Sequence, residues 1–345
     1  MASSFDRPSH RSQLLDAYHN NRADNLQLAD LGKHAVAFAL DPQGSRFIEQ
    51  KLGRASPTET AQLVHALRGH VLTLSQQVYG NHVIRKALES VDKASQIELI
   101  NEISAQVIPL SLHKYGNWVI RSLLEHCTEQ QKRPVLEQLH DNVLTLATDQ
   151  YGSFVIEHMA EHGLPEDRNR IVHLLKGDIL KYVQHKFASN IIEKCLICGT
   201  ADQKKALIDN VCVGGPKTLQ NARQLMADEF GMHVIQKCFE YGTDGQKAQL
   251  VDALRGHVLT LALQMYGSHV IQTALKSVDK ASQIEIIEEL TPRPCVIRCI
   301  KDRYGIHVMN TVFELIEPQR LQFVVDAILY SSSDSVHFYQ ILFII

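Results

Sequence analysis

Three side chains recur together eight times along this 345-residue chain, and their types suit recognition of flat heteroaromatic rings. Counted from the residue after a short turn, the first, second and fifth positions read Ser45-Arg46-Glu49, Asn81-His82-Arg85, Asn117-Trp118-Arg121, Ser153-Phe154-Glu157, Ser189-Asn190-Glu193, Met232-His233-Gln236, Ser268-His269-Gln272 and Ile306-His307-Asn310. On a helix, positions one and five lie a turn apart on one face, with position two beside them. The second position is planar in every copy: His82, His233, His269 and His307, with Arg46, Trp118, Phe154 and Asn190. A planar group can stack on the π-face of an unpaired base while polar ends meet its Watson–Crick edge. A row of ordinary solvated residues would explain the polarity but not the planarity, and Trp118 and Phe154 are out of place on such a face.

Other chemistry finds little support. Cys195 and Cys198 form one CxxC, and Cys295 and Cys299 stand four apart, but no second ligand pair lies at a distance that suits zinc. These cysteines read as small residues of buried helix faces. The stretch His158-Met159-Ala160-Glu161-His162 matches the H-x-x-E-H pattern of inverted zincins. It falls where other copies carry LEHC or FEYG, so a structural or surface role is expected. No nucleophile elbow, phosphate loop or dinucleotide fingerprint occurs. The expectation is a protein that is not an enzyme and takes no metal or cofactor.

Composition narrows the classes further. Hydrophobic residues at 45% and charged residues at 21% fit a folded chain and exclude wholesale disorder. With 35 Lys and Arg against 38 Asp and Glu, a net charge of −3 argues against a polybasic binder gripping phosphates and leaves room for one that grips bases. No apolar run of transmembrane length and no signal-peptide core is present. Seven cysteines without framework spacing indicate a reducing compartment, so a cytoplasmic location is expected.

The elements that position the row are repeats. Residues 69–99 and 256–286 agree at 23 of 31 positions, with weaker copies between. The turn residue recurs at Gly44, Gly80, Gly116, Gly152, Ala188, Gly231, Gly267 and Gly305, in steps of 36, 36, 36, 36, 43, 36 and 38. An insertion, VGGPKTL at 213–219, accounts for the long step and reads as a surface loop.

Each repeat reads as three helices. In the second repeat HVLTLSQQV is a short amphipathic run, broken at Tyr79-Gly80 because Gly readily takes the left-handed conformation. NHVIRKALES follows, with Val83, Ile84, Ala87 and Leu88 on one face, and then DKASQIELINEI with Asp92 as N-cap. Positions three and four of the second helix are apolar in all eight copies, from Phe47-Ile48 to Val308-Met309, and face the core. Such units cannot bury their apolar faces alone and must stack into a solenoid. The expected organisation is a disordered 1–10, a half-repeat cap at 11–35, eight repeats within 11–330, and an atypical apolar tail, SSSDSVHFYQILFII, at 331–345.

The chain resembles the Pumilio (PUF) family of single-stranded RNA-binding proteins over roughly residues 11–330. The motifs that carry the resemblance are NLQLADL with DPQGSRFIEQKL, YGNHVIRKAL, HKYGNWVIRSLLEHC, DQYGSFVIEH, HKFASNIIEKC, EFGMHVIQKCFEYG and YGSHVIQTAL. It implies an all-α, right-handed crescent of eight three-helix repeats with RNA on the concave face, one base per repeat, antiparallel. It further implies a monomer that binds 3′ untranslated regions of mRNA and represses translation or promotes decay through a deadenylase complex or other repressor proteins on the convex face. No membrane association is implied. Repeat order departs from the family: ASNIIEKC, like the family's seventh repeat, stands fifth, and EFGMHVIQKCFEYG, like its second, stands sixth.

Carboxylates accept from the adjacent donors of guanine, so Ser45/Glu49, Ser153/Glu157 and Ser189/Glu193 are expected to read G. The family pattern assigns A to Ser268/Gln272. Asn81/Arg85 and Asn117/Arg121 suit a pyrimidine, while Met232/Gln236 and Ile306/Asn310 are expected to discriminate poorly. The alternative is an α-solenoid scaffold for proteins, with RNA binding weakened or lost.

Overall fold

The computed structural model describes residues 12–212, 216–317 and 321–329. The expected disordered 1–10, the first residue of the expected cap and the apolar tail at 331–345 lie outside them. Every regular element among the described residues is helical, and the chain divides between His162 and Gly163 into two compact units.

In the first unit, helix Gln13–His19 and two single turns of 3-10 helix, Leu28–Asp30 and Gly32–His34, precede the repeats. Repeats one to three each supply three helices: Ala35–Leu40, Pro42–Leu52 and Pro57–Leu67; Val71–Ser75, Gly80–Ser90 and Lys93–Ser104; Val107–Ser111, Gly116–His126 and Glu129–Asp141. Repeat four contributes Val143–Ala147 and Gly152–His162 here, and its third helix, Pro165–Lys176, opens the second unit. The second helices of consecutive repeats pack side by side within each unit.

The second unit continues with Ile179–Val183, Ala188–Cys198 and Ala201–Cys212, then Pro216–Met226, Gly231–Tyr241 and Asp244–Leu254. Repeats seven and eight add Val258–Ala262, Met265–Ser277 and Lys280–Glu288, then Arg293–Lys301, Gly305–Leu315 and Gln322–Leu329. The loop expected over 213–219 is helical from Pro216 onward, and 213–215 lie outside the described residues. Proline suits a first helical position because its missing N–H would have no partner there in any case.

The core is the stack of position-three and position-four side chains. Val83, Ile84, Val119, Ile120, Val155 and Ile156 in the first unit have no exposure, as do Ile191, Ile192, Val234, Ile235, Val270 and Ile271 in the second. Each such side chain contributes on the order of 1.5–3 kcal/mol by leaving water.

Most third helices start at side-chain caps. Asp92 Oδ1 accepts from Ala94 and Ser95 N–H, and Thr128 and Gln131 form a reciprocal capping box. In the second unit, Gln246 Nε2 donates to Asp209 Oδ1 of the preceding repeat at 2.6 Å, tying neighbouring third helices together.

Two details differ from expectation. The first helix of repeat two stops at Ser75, so Gln76 to Tyr79 form the turn. Gly80 does not take the left-handed conformation; it opens the second helix, and a Cβ there would sit 2.6 Å from Leu74 O. Glycine is needed for close helix approach. The left-handed role belongs to Gly69, at φ 78°, and to its repeat-seven counterpart Gly256, at φ 73°.

Candidate nucleic-acid interface

The three row positions occupy different depths. Position two is exposed in all eight repeats and position five is half-buried in all eight. Trp118 and Phe154 are 43% and 44% exposed. Position one is buried in seven repeats, from Asn117 at 1% to Met232 at 8%, and only Ile306 is half-buried. Positions one and five therefore do not share the one outward face that their spacing predicts. The structure instead turns position one toward its own turn: Asn81 Nδ2 donates to Gln77 O at 2.8 Å and Val78 O at 3.0 Å, and Asn117 Nδ2 to His113 O at 3.0 Å and Lys114 O at 2.9 Å. Ser45 and Ser268 likewise donate to backbone carbonyls three residues back.

In the first unit the row gathers around Trp118. The guanidinium of Arg121 lies 4.6 Å from its ring centroid, and that of Arg85, from the preceding repeat, 5.2 Å. With Glu49, His82 and His158 these side chains line a groove of about 200 Å³. Several buried polar atoms on the row have no hydrogen-bond partner among the described residues: Arg85 Nε, Asn117 Oδ1, Arg121 Nε and Ser153 Oγ. Native interiors rarely tolerate this, and a ligand edge is one way to satisfy such atoms.

Burial tunes the charges. It pushes the Arg121 guanidinium down, against the pull of Glu157. The same cause, aided by His162 and Arg121, holds His158 down at about 4, so its imidazole is neutral near pH 7. The rings of His158 and His162 lie 4.8 Å apart. No group of three metal-ligating side chains occurs among the described residues.

In the second unit, burial pushes the Glu193 carboxyl up, with Lys237 opposing. Gln236 Nε2 donates to Thr273 Oγ1 of the next repeat at 2.8 Å, and Gln272 Nε2 to Ser268 O at 3.1 Å.

One class of positioning residue escaped the sequence reading. Three residues before the turn glycine or alanine stands a side chain that caps the second helix. Asp41, Asp149, Asp228 and Asp302 each accept two backbone N–H bonds through Oδ1. His113 and His185 do the same through Nδ1. The signal was present as Asp or His at a fixed offset, hidden because Gln77 and Gln264 hold the place in the two most similar repeats.

A family model described as Pumilio-family RNA binding repeat matches residues 34–68, 70–104, 106–140, 142–175, 179–212, 221–255, 257–291 and 295–329. The chain belongs to the Pumilio family. Among curated Pumilio relatives, Pumilio homolog 2 of Xenopus laevis is 62% identical over 52 residues, and the maternal protein pumilio of Drosophila melanogaster 42% identical over 69. These matches cover 15% and 20% of this chain and 4% of each relative's length. Two solved Pumilio-type structures share the fold. PUF-8 in complex with PBE-RNA superposes with TM-score 0.82 at 21% identity, covering 92% of this chain and 93% of that one. The Puf3 RNA binding domain bound to Cox17 RNA 3′ UTR recognition sequence site A gives TM-score 0.82 at 24% identity, covering 95% and 98%. None of the described helices is long and apolar enough to cross a membrane.

Proposed function

We propose that the protein binds single-stranded RNA sequence-selectively, one base per repeat. Position two supplies the stacking surface, position five the main edge contact, and position one a buried atom that meets the base from below. The observation that carries this reading is the uniform exposure of the planar second position in all eight repeats, beside a half-buried position five. Stacking on such side chains is worth about 1–3 kcal/mol per base.

Family membership extends the reading to 3′ untranslated regions of mRNA, with repression of translation or decay through recruited proteins such as a deadenylase complex, in the cytoplasm. The base assignment follows the row. Running antiparallel, it gives 5′-N-A-N-G-G-Y-Y-G-3′, with N at the repeats holding Met232 and Ile306. The apolar character of those two side chains is the one feature that favours the scaffold alternative, and it does so for two repeats only. Binding of a random single-stranded RNA pool, measured by filter retention, tests the reading; a protein that retains no RNA contradicts it.

A further inference from the structure

The turn caps fall into two chemical kinds. In repeats one, four, six and eight the acceptor is a carboxylate, and in repeats three and five it is an imidazole. Asp149 Oδ1 takes the N–H of Tyr151 and Gly152 at 2.8 Å each. His113 Nδ1 takes those of Tyr115 and Gly116 at 3.1 and 3.2 Å, and His185 Nδ1 those of Phe187 and Ala188 at 3.2 and 3.4 Å. A ring nitrogen accepts only while it carries no proton, so both imidazoles keep their proton on Nε2.

The cap and the row are directly joined. The amide of Asn117 donates to the carbonyls of His113 and Lys114, and the backbone N–H of Ser189 to the carbonyl of His185 at 3.0 Å. The helices held in this way carry Asn117, Trp118 and Arg121, and Ser189, Asn190 and Glu193.

We propose that His113 and His185 are positioning residues whose neutral imidazoles hold two base-reading helices in place, so that the grip of repeats three and five weakens in acid. The inference rests on the RNA reading above. A proton on Nδ1 turns the acceptor into a donor and sets it against N–H groups at a helix start, where the peptide dipoles already place partial positive charge. A carboxyl group keeps an acceptor oxygen whether or not it is protonated, so the carboxylate caps do not reverse in this way. Histidine is the side chain whose charge ordinarily changes between about pH 5 and 8.

Lys114 and Lys186 directly follow the two caps in their turns; the helices packed on these turns carry Arg121, Glu125 and Glu137 in repeat three and Glu193, Lys194 and Asp209 in repeat five, and Asp228 of the next repeat accepts from Gln184 Nε2, next to His185, at 3.4 Å. Lys114 and Lys186 lie over the rings of Tyr115 and Phe187 at 5.3 and 5.5 Å. Neither capping imidazole forms an ion pair among the described residues.

Two measurements test this between about pH 7.5 and about pH 5.5. In the free protein, amide hydrogen exchange corrected for intrinsic rate is followed at Gly116 and Ala188, with Gly152 and Gly231 as carboxylate-capped references. Affinity for an RNA octamer with the GG core is measured for the wild type and for the double variant His113→Asp with His185→Asp. On acidification, protection falls at Gly116 and Ala188 and holds at Gly152 and Gly231. Wild-type affinity falls about fivefold per cap beyond the loss in the double variant, the scale of one helix cap. Unchanged exchange at Gly116 and Ala188, or parallel losses in the two proteins, overturns the proposal. Absence of RNA binding at every pH overturns the RNA reading and the grip with it, while the exchange data still decide whether the caps respond. That exchange measurement needs no variant to fold.

Discussion

Arg85 and Trp118 belong to neighbouring repeats, and the guanidinium of one lies 5.2 Å from the ring centroid of the other. Position five of one repeat thus supports position two of the next, and Arg121 adds a second cation from Trp118's own repeat. This contact holds an exposed ring that the proposed reading uses as a stacking surface.

Trp118 is the only tryptophan in the chain, so its emission reports this surface alone. RNA binding quenches it. Trp118→Ala weakens all RNA sequences by about 1–3 kcal/mol, because stacking is base-tolerant. Thermal stability changes little, since the ring is 43% exposed. A variant that melts early with unaltered affinity would assign Trp118 to the core.

Under the proposed reading, Glu193 links base selectivity to pH. Its carboxyl is pushed up by burial, so it gains a proton at a higher pH than an ordinary glutamate. As pH falls through that value the acceptor for guanine is lost, and preference for G at the fourth base declines. Glu193→Gln relaxes that preference by about 1–3 kcal/mol, on the scale of one base-edge pair in DNA, and removes this pH dependence. The stability sign is opposite. A carboxyl raised on folding favours the folded state below its unfolded value, and this advantage is lost as pH rises through the folded value. The glutamine variant therefore melts higher than the wild type near pH 7, which a thermal scan checks.

The turn glycines test close packing. A Cβ at Gly80 would lie 2.6 Å from Leu74 O and 2.9 Å from Leu74 Cα, both backbone atoms that cannot swing aside. Gly80→Ala lowers stability by about 1–3 kcal/mol, the range for overpacking. Ala188→Gly is milder, near the helix-propensity cost of about 1 kcal/mol, because repeat five already accommodates the methyl. Chemical denaturation of the two variants separates them.

Much of this was legible in the residues. The 36-residue period, the three-helix unit and the apolar Val-Ile pairs followed from spacing and the physics of burial. Three features did not. The depth of position one depends on bonds such as Asn117 to the carbonyls of His113 and Lys114, which no periodicity reveals. The role of Gly80 depends on how near the preceding helix passes, a tertiary distance rather than a local preference. The caps at Asp149 and His113 use two unlike side chains for one task, so neither stands out as a motif.

Charge contributes little to the proposed grip. The position-five row of the first unit reads Glu49, Arg85, Arg121 and Glu157, two charges of each sign. Each neutralised phosphate on a single strand adds about 0.7 to the slope of log affinity against log salt, so a slope on the order of 2–4 is expected. Titration of an octamer at several potassium concentrations measures it, and a slope above about 6 would place the grip on phosphates.

The central claim is one base per repeat, read by the row in reverse chain order. In-vitro selection from a random single-stranded RNA pool tests it most directly. The account predicts enrichment of 5′-N-A-N-G-G-Y-Y-G-3′, with the adjacent guanines fixed by Ser189/Glu193 and Ser153/Glu157 and little preference opposite Met232 and Ile306. Enrichment of a UGUA core without the paired guanines, or no enrichment, would contradict it.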